Sequence, residues 1–226
     1  MIRNLPPVTK NLLIINILIW LVQEFVPSIG MSMDRYCALY YVESPLFYPW
    51  QLFTYMFMHG GFTHLFFNMF ALLMFGGLIE RTMGSGRFLF FYISCGVGAA
   101  LIQEGVFAIM ANHLYGIIDN AEYITADIAL RYQSMMLTPT VGASGAIYGI
   151  LLAFGMLYPN MPLYIMFIPV PMKAKWVVLG YGVLELTMGI GNIDSSVAHF
   201  AHLGGMLFAF LMIFYWKKKG VFHGWH

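Results

Sequence analysis

Charge is what this sequence has least of. Only 9% of its 226 residues are Asp, Glu, Lys or Arg, against about 25% in a soluble domain. So few ionic groups cannot keep 60% apolar residues in water, and a soluble globular protein is excluded. The formal net charge is +1, with no basic footprint of the kind that nucleic acid requires. Cysteine is nearly missing too. Cys37 and Cys95 fall in an expected loop and an expected span, which argues against a disulfide. The chain has no CxxC, no HExxH and no Cys/His array at metal-ligand spacing. No small-residue cleavage site follows the first apolar run, which is therefore expected to be a retained span and not a signal peptide. Internal repeats, low-complexity tracts and a separable soluble domain are also missing.

What is present is a series of long apolar runs. Six spans are expected, at about 11–26, 62–79, 88–110, 142–158, 174–191 and 197–216, from the ~20-residue length a bilayer crossing needs. The fold class is thus an all-α, polytopic membrane bundle of six transmembrane helices. Residues 1–10 form a short N-terminus, 11–216 the membrane domain with a polar outer insert at 111–140, and 217–226 a basic tail. With six spans both termini share one side. Arg3, Lys10, Arg81, Arg87, Lys173, Lys175, Lys217, Lys218 and Lys219 fall there, and only Arg35 and Arg131 fall opposite. The positive-inside rule makes that side cytoplasmic.

Spans two, four and six then all run inward from the outer face, and each carries polar residues near its start. These are His64 and Asn68, Ser144, and His199 and His202. Hydrophobic patterning does not require that coincidence of depth, and polar groups inside a bilayer usually mark a functional interior. Ser144 stands in the run VGASGAIYG, in the first turn of a helix, where backbone N–H groups have no intrahelical acceptor. A hydroxyl beside free donors suits acyl transfer, because nucleophilic attack creates an oxyanion. The competing reading is a small-residue packing face. His64 and Asn68 share one helix face at i, i+4 and read equally as oxyanion donors or as an interhelical clamp. His202 lies in a small-residue stripe with Ala198, Ala201, Gly205 and Ala209, so it is expected to face Ser144 as its base, with His199 structural. Tyr148, one turn below Ser144, would buttress the imidazole or simply fill core. Glu104 and Glu185 are placed outside these clusters, which leaves a Ser–His dyad. Metal ligation by His64, His199 and His202 lacks a carboxylate or thiolate partner. A transporter would favour repeats and midplane sites, which this chain does not show.

At these residues the sequence resembles a known family. The run WQLFTYMFMHGGFTHLFFNMF with GGLIERTMGSGRF, then GASGAIYG, then AHLGG, is similar to the motifs of rhomboid intramembrane serine proteases, in the same order. The resemblance covers Trp50 to about Gln103 and Val141 to Trp216. It implies a serine endopeptidase that cleaves transmembrane segments of other membrane proteins without metal or cofactor, in a bacterial inner membrane. Ser144 would be nucleophile and His202 base. His64, Asn68 and the amides of Ala143 and Ser144 would hold the oxyanion, among the glycines 142 and 145. Tyr148 would pack on His202, and Phe67 would stand near a lateral substrate route between spans two and five. A non-catalytic relative that only grips transmembrane segments would be expected to lose the serine or the histidine, and both are kept. Two departures stand out: Gln51 follows Trp50 where the family often has arginine, and the connection before Ser144 is long.

Overall fold

The computed structural model describes residues 5–120, 125–164, 170–191 and 198–222. Arg3, Glu122 and the start of the sixth expected span at Val197 lie outside them, as does the end of the basic tail.

The first helix, α1 (Pro7–Phe25), opens on proline, which has no N–H to leave unpaired. Its next donors are collected by Glu80, whose carboxylate accepts from Val8 N at 3.0 Å, Thr9 N at 2.7 Å and Thr9 Oγ1 at 2.7 Å. Ser85 Oγ also donates to it at 2.7 Å. A carboxylate at a helix N-terminus meets both the orphan N–H groups and the positive end of the dipole. Pro27 stops α1 as expected, but it also starts a second helix, α2 (Pro27–Cys37).

The long connection that follows holds a short helix, α3 (Gln51–Thr54), and a 3₁₀ turn, Tyr55–Phe57. Gln51 is its fastener. The buried amide accepts from Tyr40 N at 3.3 Å and donates to the carbonyls of Leu46 at 2.9 Å and Arg35 at 3.3 Å. The neutral side chain thus makes three backbone contacts without burying a charge. Next come α4 (Phe62–Ala71), a π-helical turn (Leu72–Gly76) and α5 (Gly77–Met83), which together make one path.

The third expected span is much longer than its apolar run. Helix α6 (Ser85–Asn120) has 36 residues, roughly 54 Å at the α-helical rise. Among the described residues, the polar stretch at 111–140 holds the end of α6 and a further helix, α7 (Ala126–Leu137), capped by Thr125. Ala111 and Leu114 keep an i, i+3 apolar stripe beyond position 110, and they pack with Tyr41, Met135 and Met136 in a small cluster of their own. That stripe carries the helix past the span.

Helix α8 (Ser144–Leu157), an antiparallel pair of two-residue strands, β1 (Pro162–Leu163) and β2 (Met172–Lys173), α9 (Ala174–Ile190) and α10 (His199–Lys218) complete the elements among the described residues. Among the described residues, four helical stretches are long and apolar enough to cross a membrane: Pro7–Phe25, Phe62–Met83, Ser85–Asp119 and His199–Lys218. The protein is an all-α, polytopic membrane bundle. Helices α8 and α9, with 14 and 17 residues, are shorter than that length. Helix α8 can be short because protein surrounds it: α6, α9 and α10 all pack against it. Glycine permits the closest of these approaches. A Cβ on Gly205 of α10 would lie 1.9 Å from the carbonyl oxygen of Gly145, and one on Gly149 would lie 2.6 Å from Cys95 Sγ.

Candidate active site

The segment entering α8 is pinned from both sides before it reaches Ser144. Leu39 and Thr140 exchange backbone hydrogen bonds at 3.0 and 2.7 Å, and Gly142 N donates to the carbonyl of Tyr55 at 2.9 Å. Tyr55 is held in turn by its hydroxyl, which donates to Gly96 O at 2.7 Å. At Gly142 the chain turns with φ +124°, a conformation in which a side chain is strained, and then enters the helix. Ala143 is the N-cap and Ser144 the first helical residue, so the amides around Ser144 belong to the turn whose donors have no intrahelical acceptor.

From α10, His202 reaches this turn. Its Nε2 lies 2.8 Å from Ser144 Oγ, across 58 residues of sequence. The imidazole stacks on Tyr148 with ring centroids 4.2 Å apart and planes 8° from parallel. The small-residue stripe explains the approach, because Gly205, one turn below His202, meets Gly145 backbone to backbone. The packing face and the polar contact are one feature.

Helix α4 supplies the other wall. A Cβ on Gly142 would fall 2.7 Å from Cε1 and Nε2 of His64 and 3.7 Å from Nδ2 of Asn68. Both side chains therefore border the glycine turn that leads into Ser144. His64 Nδ1 accepts, at 3.4 Å, from Gly60 N, which leaves Nε2 as the atom on the glycine side. Asn68 is 6% exposed, and its Nδ2 has no hydrogen-bond partner among the described residues. A buried amide donor without an acceptor costs on the order of 1–3 kcal/mol, an expense that a bound oxyanion would remove. Phe67, by contrast, is 54% exposed on the outside of α4, next to Phe66.

One placement from the sequence is overturned. Glu185 of α9 does not stand apart from the polar clusters but joins them. Its Oε1 accepts a hydrogen bond from Tyr148 OH. Its Oε2 lies 2.7 Å from Nδ1 of His199 and 3.0 Å from Nδ1 of His202. The last approach is oblique, so Nδ1 of His202 makes no aligned hydrogen bond despite the short distance. The signal was legible: a lone carboxylate in an apolar helix is a functional candidate by default. Counting along α9 placed it nearer mid-span, whereas tertiary packing brings it level with His202.

The same trio alters the question of metal. Glu185, His199 and His202 bring ligand atoms within 4.8 Å of one another, so the carboxylate missing from the His64, His199 and His202 set is present, while His64 is not part of the group. The two imidazoles and the Tyr148 hydroxyl already surround this carboxylate.

Comparison with known proteins agrees with this architecture. The Rhomboid domain matches residues 47–219, a stretch that includes every residue of the cluster. RHOMBOID-like protein 12, mitochondrial, of Arabidopsis thaliana is 32% identical over 156 residues, which are 68% of this chain and 42% of the relative. Rhomboid protease GluP of Bacillus subtilis is 29% identical over 71% of this chain and 25% of its own length. The YdcA rhomboid protein of the same organism is 29% identical over 75% of this chain and 68% of its own. The chain thus spans about two thirds of YdcA and under half of the other two. With the family's domain matched over most of the chain and its motifs converging at one helix start, this membrane protein belongs to the rhomboid family.

Proposed function

We propose that the protein is an intramembrane serine endopeptidase that cleaves transmembrane segments of other membrane proteins. The observation that carries this reading is the 2.8 Å contact between Ser144 Oγ and His202 Nε2, made by two separate apolar helices. Such a contact is the unit of hydroxyl activation: the imidazole accepts the proton as oxygen attacks.

In this mechanism Ser144 Oγ adds to the scissile carbonyl carbon and its proton passes to His202 Nε2. Negative charge develops on the former carbonyl oxygen, beside the amides of Ala143 and Ser144 and the side chains of His64 and Asn68. The C–N bond then breaks, and His202 returns the proton to the leaving amine. Water next attacks the acyl ester, with His202 taking its proton and handing it back to Ser144 as the acid product departs. Tyr148 holds the imidazole by its stacked ring. Donors placed where charge develops commonly contribute about 10²–10³ in rate each.

Substrates are expected to enter sideways, between α4 and α9, past the exposed face that carries Phe67. Both helices pack on α8, α4 also on α1, and α9 also on α10. The excess of basic residues on one side supports cytoplasmic termini, with Ser144 near the outer face, and a bacterial inner membrane is part of the same proposal. No metal or cofactor is required by this chemistry.

The decisive experiment labels purified protein in detergent with a fluorophosphonate probe and measures cleavage of a transmembrane reporter in parallel. Wild type should label and cleave, while Ser144→Ala and His202→Ala should do neither. Labelling that persists in Ser144→Ala, or cleavage that persists in His202→Ala while His199→Ala is inactive, would overturn the assignment.

A further inference from the structure

Glu185 is a buried carboxylate in an apolar helix, 7% exposed and surrounded by three polar partners. Removing a carboxylate from water is costly unless it is paired and hydrogen-bonded. A helix that needed only to pack would carry leucine at this position. The partners are also not a random set. Tyr148 and His202 are the two rings that stack beside Ser144, and His199 lies on the turn of α10 that carries His202. All three meet one carboxyl group.

We infer that Glu185 is a positioning residue for His202, which extends the Ser144–His202 pair to a serine–histidine–glutamate triad. The inference rests on the proposed protease chemistry. Neutral imidazole has one protonated nitrogen, and accepting the Ser144 proton at Nε2 requires that the resting proton be on Nδ1. Nδ1 is the atom 3.0 Å from Glu185 Oε2. A carboxylate there favours the correct tautomer and stabilises the imidazolium that exists once Ser144 has given up its proton. The proton stays on His202, and Glu185 only supplies charge and direction. Catalytic hydrogen bonds are often poorly aligned without substrate and tighten in the reacting complex, which fits the oblique approach. Tyr148 and His199 hold the carboxylate itself, one partner on each oxygen. The hydroxyl of Tyr148 thus does a second job that ring stacking alone would not need.

The test compares Glu185→Gln and Glu185→Asp in the purified full chain. Glutamine keeps the size and most hydrogen bonding but loses the charge, whereas aspartate keeps the charge on a shorter arm. A purely structural role is rescued by glutamine, and a charge-based positioning role is not. The expectation is that Glu185→Gln lowers kcat and the fluorophosphonate labelling rate by about 10–10²-fold, with KM within twofold. Glu185→Asp should fall between Glu185→Gln and wild type. Wild-type kcat and labelling in Glu185→Gln would overturn the inference. Should Glu185→Gln fail to fold, Glu185→Asp decides alone: a severalfold drop in kcat without a change in KM supports it, and an unchanged kcat overturns it. Ser144→Ala, run alongside, separates the two levels. Activity there would sink the protease reading itself, whereas an inactive Ser144→Ala beside a fully active Glu185→Gln would sink only the triad.

Discussion

Replacing Gly205 with alanine adds one methyl group at the closest helix contact of the site. The built Cβ would sit 1.9 Å from the carbonyl oxygen of Gly145, and a real Cβ keeps at least 3.0 Å from such an atom. The obstacle is backbone and cannot rotate away, so α8 and α10 must separate by roughly 1 Å. The Ser144–His202 contact lies one turn away and begins at 2.8 Å. A separation of that size takes it beyond hydrogen-bond range. Misplacing reacting groups by about 1 Å costs on the order of 10²-fold in rate, and overpacking costs about 1–3 kcal/mol in stability. Gly205→Ala should therefore remain folded, melt a few degrees lower, and lose about a hundredfold in both reporter cleavage and fluorophosphonate labelling. Gly180→Ala is the matched control, since nothing lies within 4 Å of its built Cβ. It should be active and at least as stable, because alanine is the better helix former. A Gly205→Ala protein that labels at the wild-type rate would refute the claim that this glycine contact sets the distance between serine and histidine.

His64→Ala and Asn68→Ala should each slow cleavage by about 10²–10³-fold with little change in melting temperature, if they donate to the oxyanion as proposed; unchanged rates in both would reject that role. Gly142→Ala should abolish activity more completely, because its φ of +124° strains a side chain and the new Cβ would meet the His64 ring at 2.7 Å; substantial activity would show that the glycine turn is not needed. Glu80→Ala strips the acceptor from Val8, Thr9 and Ser85 and should cost about 2–4 kcal/mol by unpairing buried donors at the start of α1, read as a lower melting temperature with normal turnover well below it. His59, in the turn before α4, has its pKa pushed down to about 4, chiefly by burial and then by His64, whose ring is 5.2 Å away. The unfolded chain then binds the proton more readily, so stability present at neutral pH is lost as pH falls from about 6.5 towards 4, by up to about 3 kcal/mol. His59→Gln should flatten the melting curve across that window relative to wild type, and equal slopes would count against it.

Several features could be read because the bilayer imposes simple rules. The apolar runs predict the helices around 62–79 and 197–216 to within a few residues, since a membrane-crossing segment needs both length and continuous hydrophobicity. The small-residue stripe Ala198, Ala201, Gly205 and Ala209 carried its own information. Only glycine lets α8 and α10 come as close as they do, and the same stripe aims His202 at Ser144. At 111–140 polarity alone leaves the backbone undecided, although Ala111 and Leu114 keep helical spacing. Gln51 stands where the resemblance leads one to expect arginine, and its amide makes the loop's fastenings without a charge.

The sequence by itself determined that this is a polytopic helical membrane protein, where its main apolar helices lie, and that Ser144, His202, His64 and Asn68 fall at a similar depth. Those conclusions depend on composition, spacing and order along the chain, which local physics translates directly. Only tertiary structure decided that Glu185 of α9 meets His199, His202 and Tyr148. No periodicity relates position 185 to position 202. Their meeting depends on how far α9 is shifted along its axis against α8 and α10, and side-chain packing between helices sets that shift.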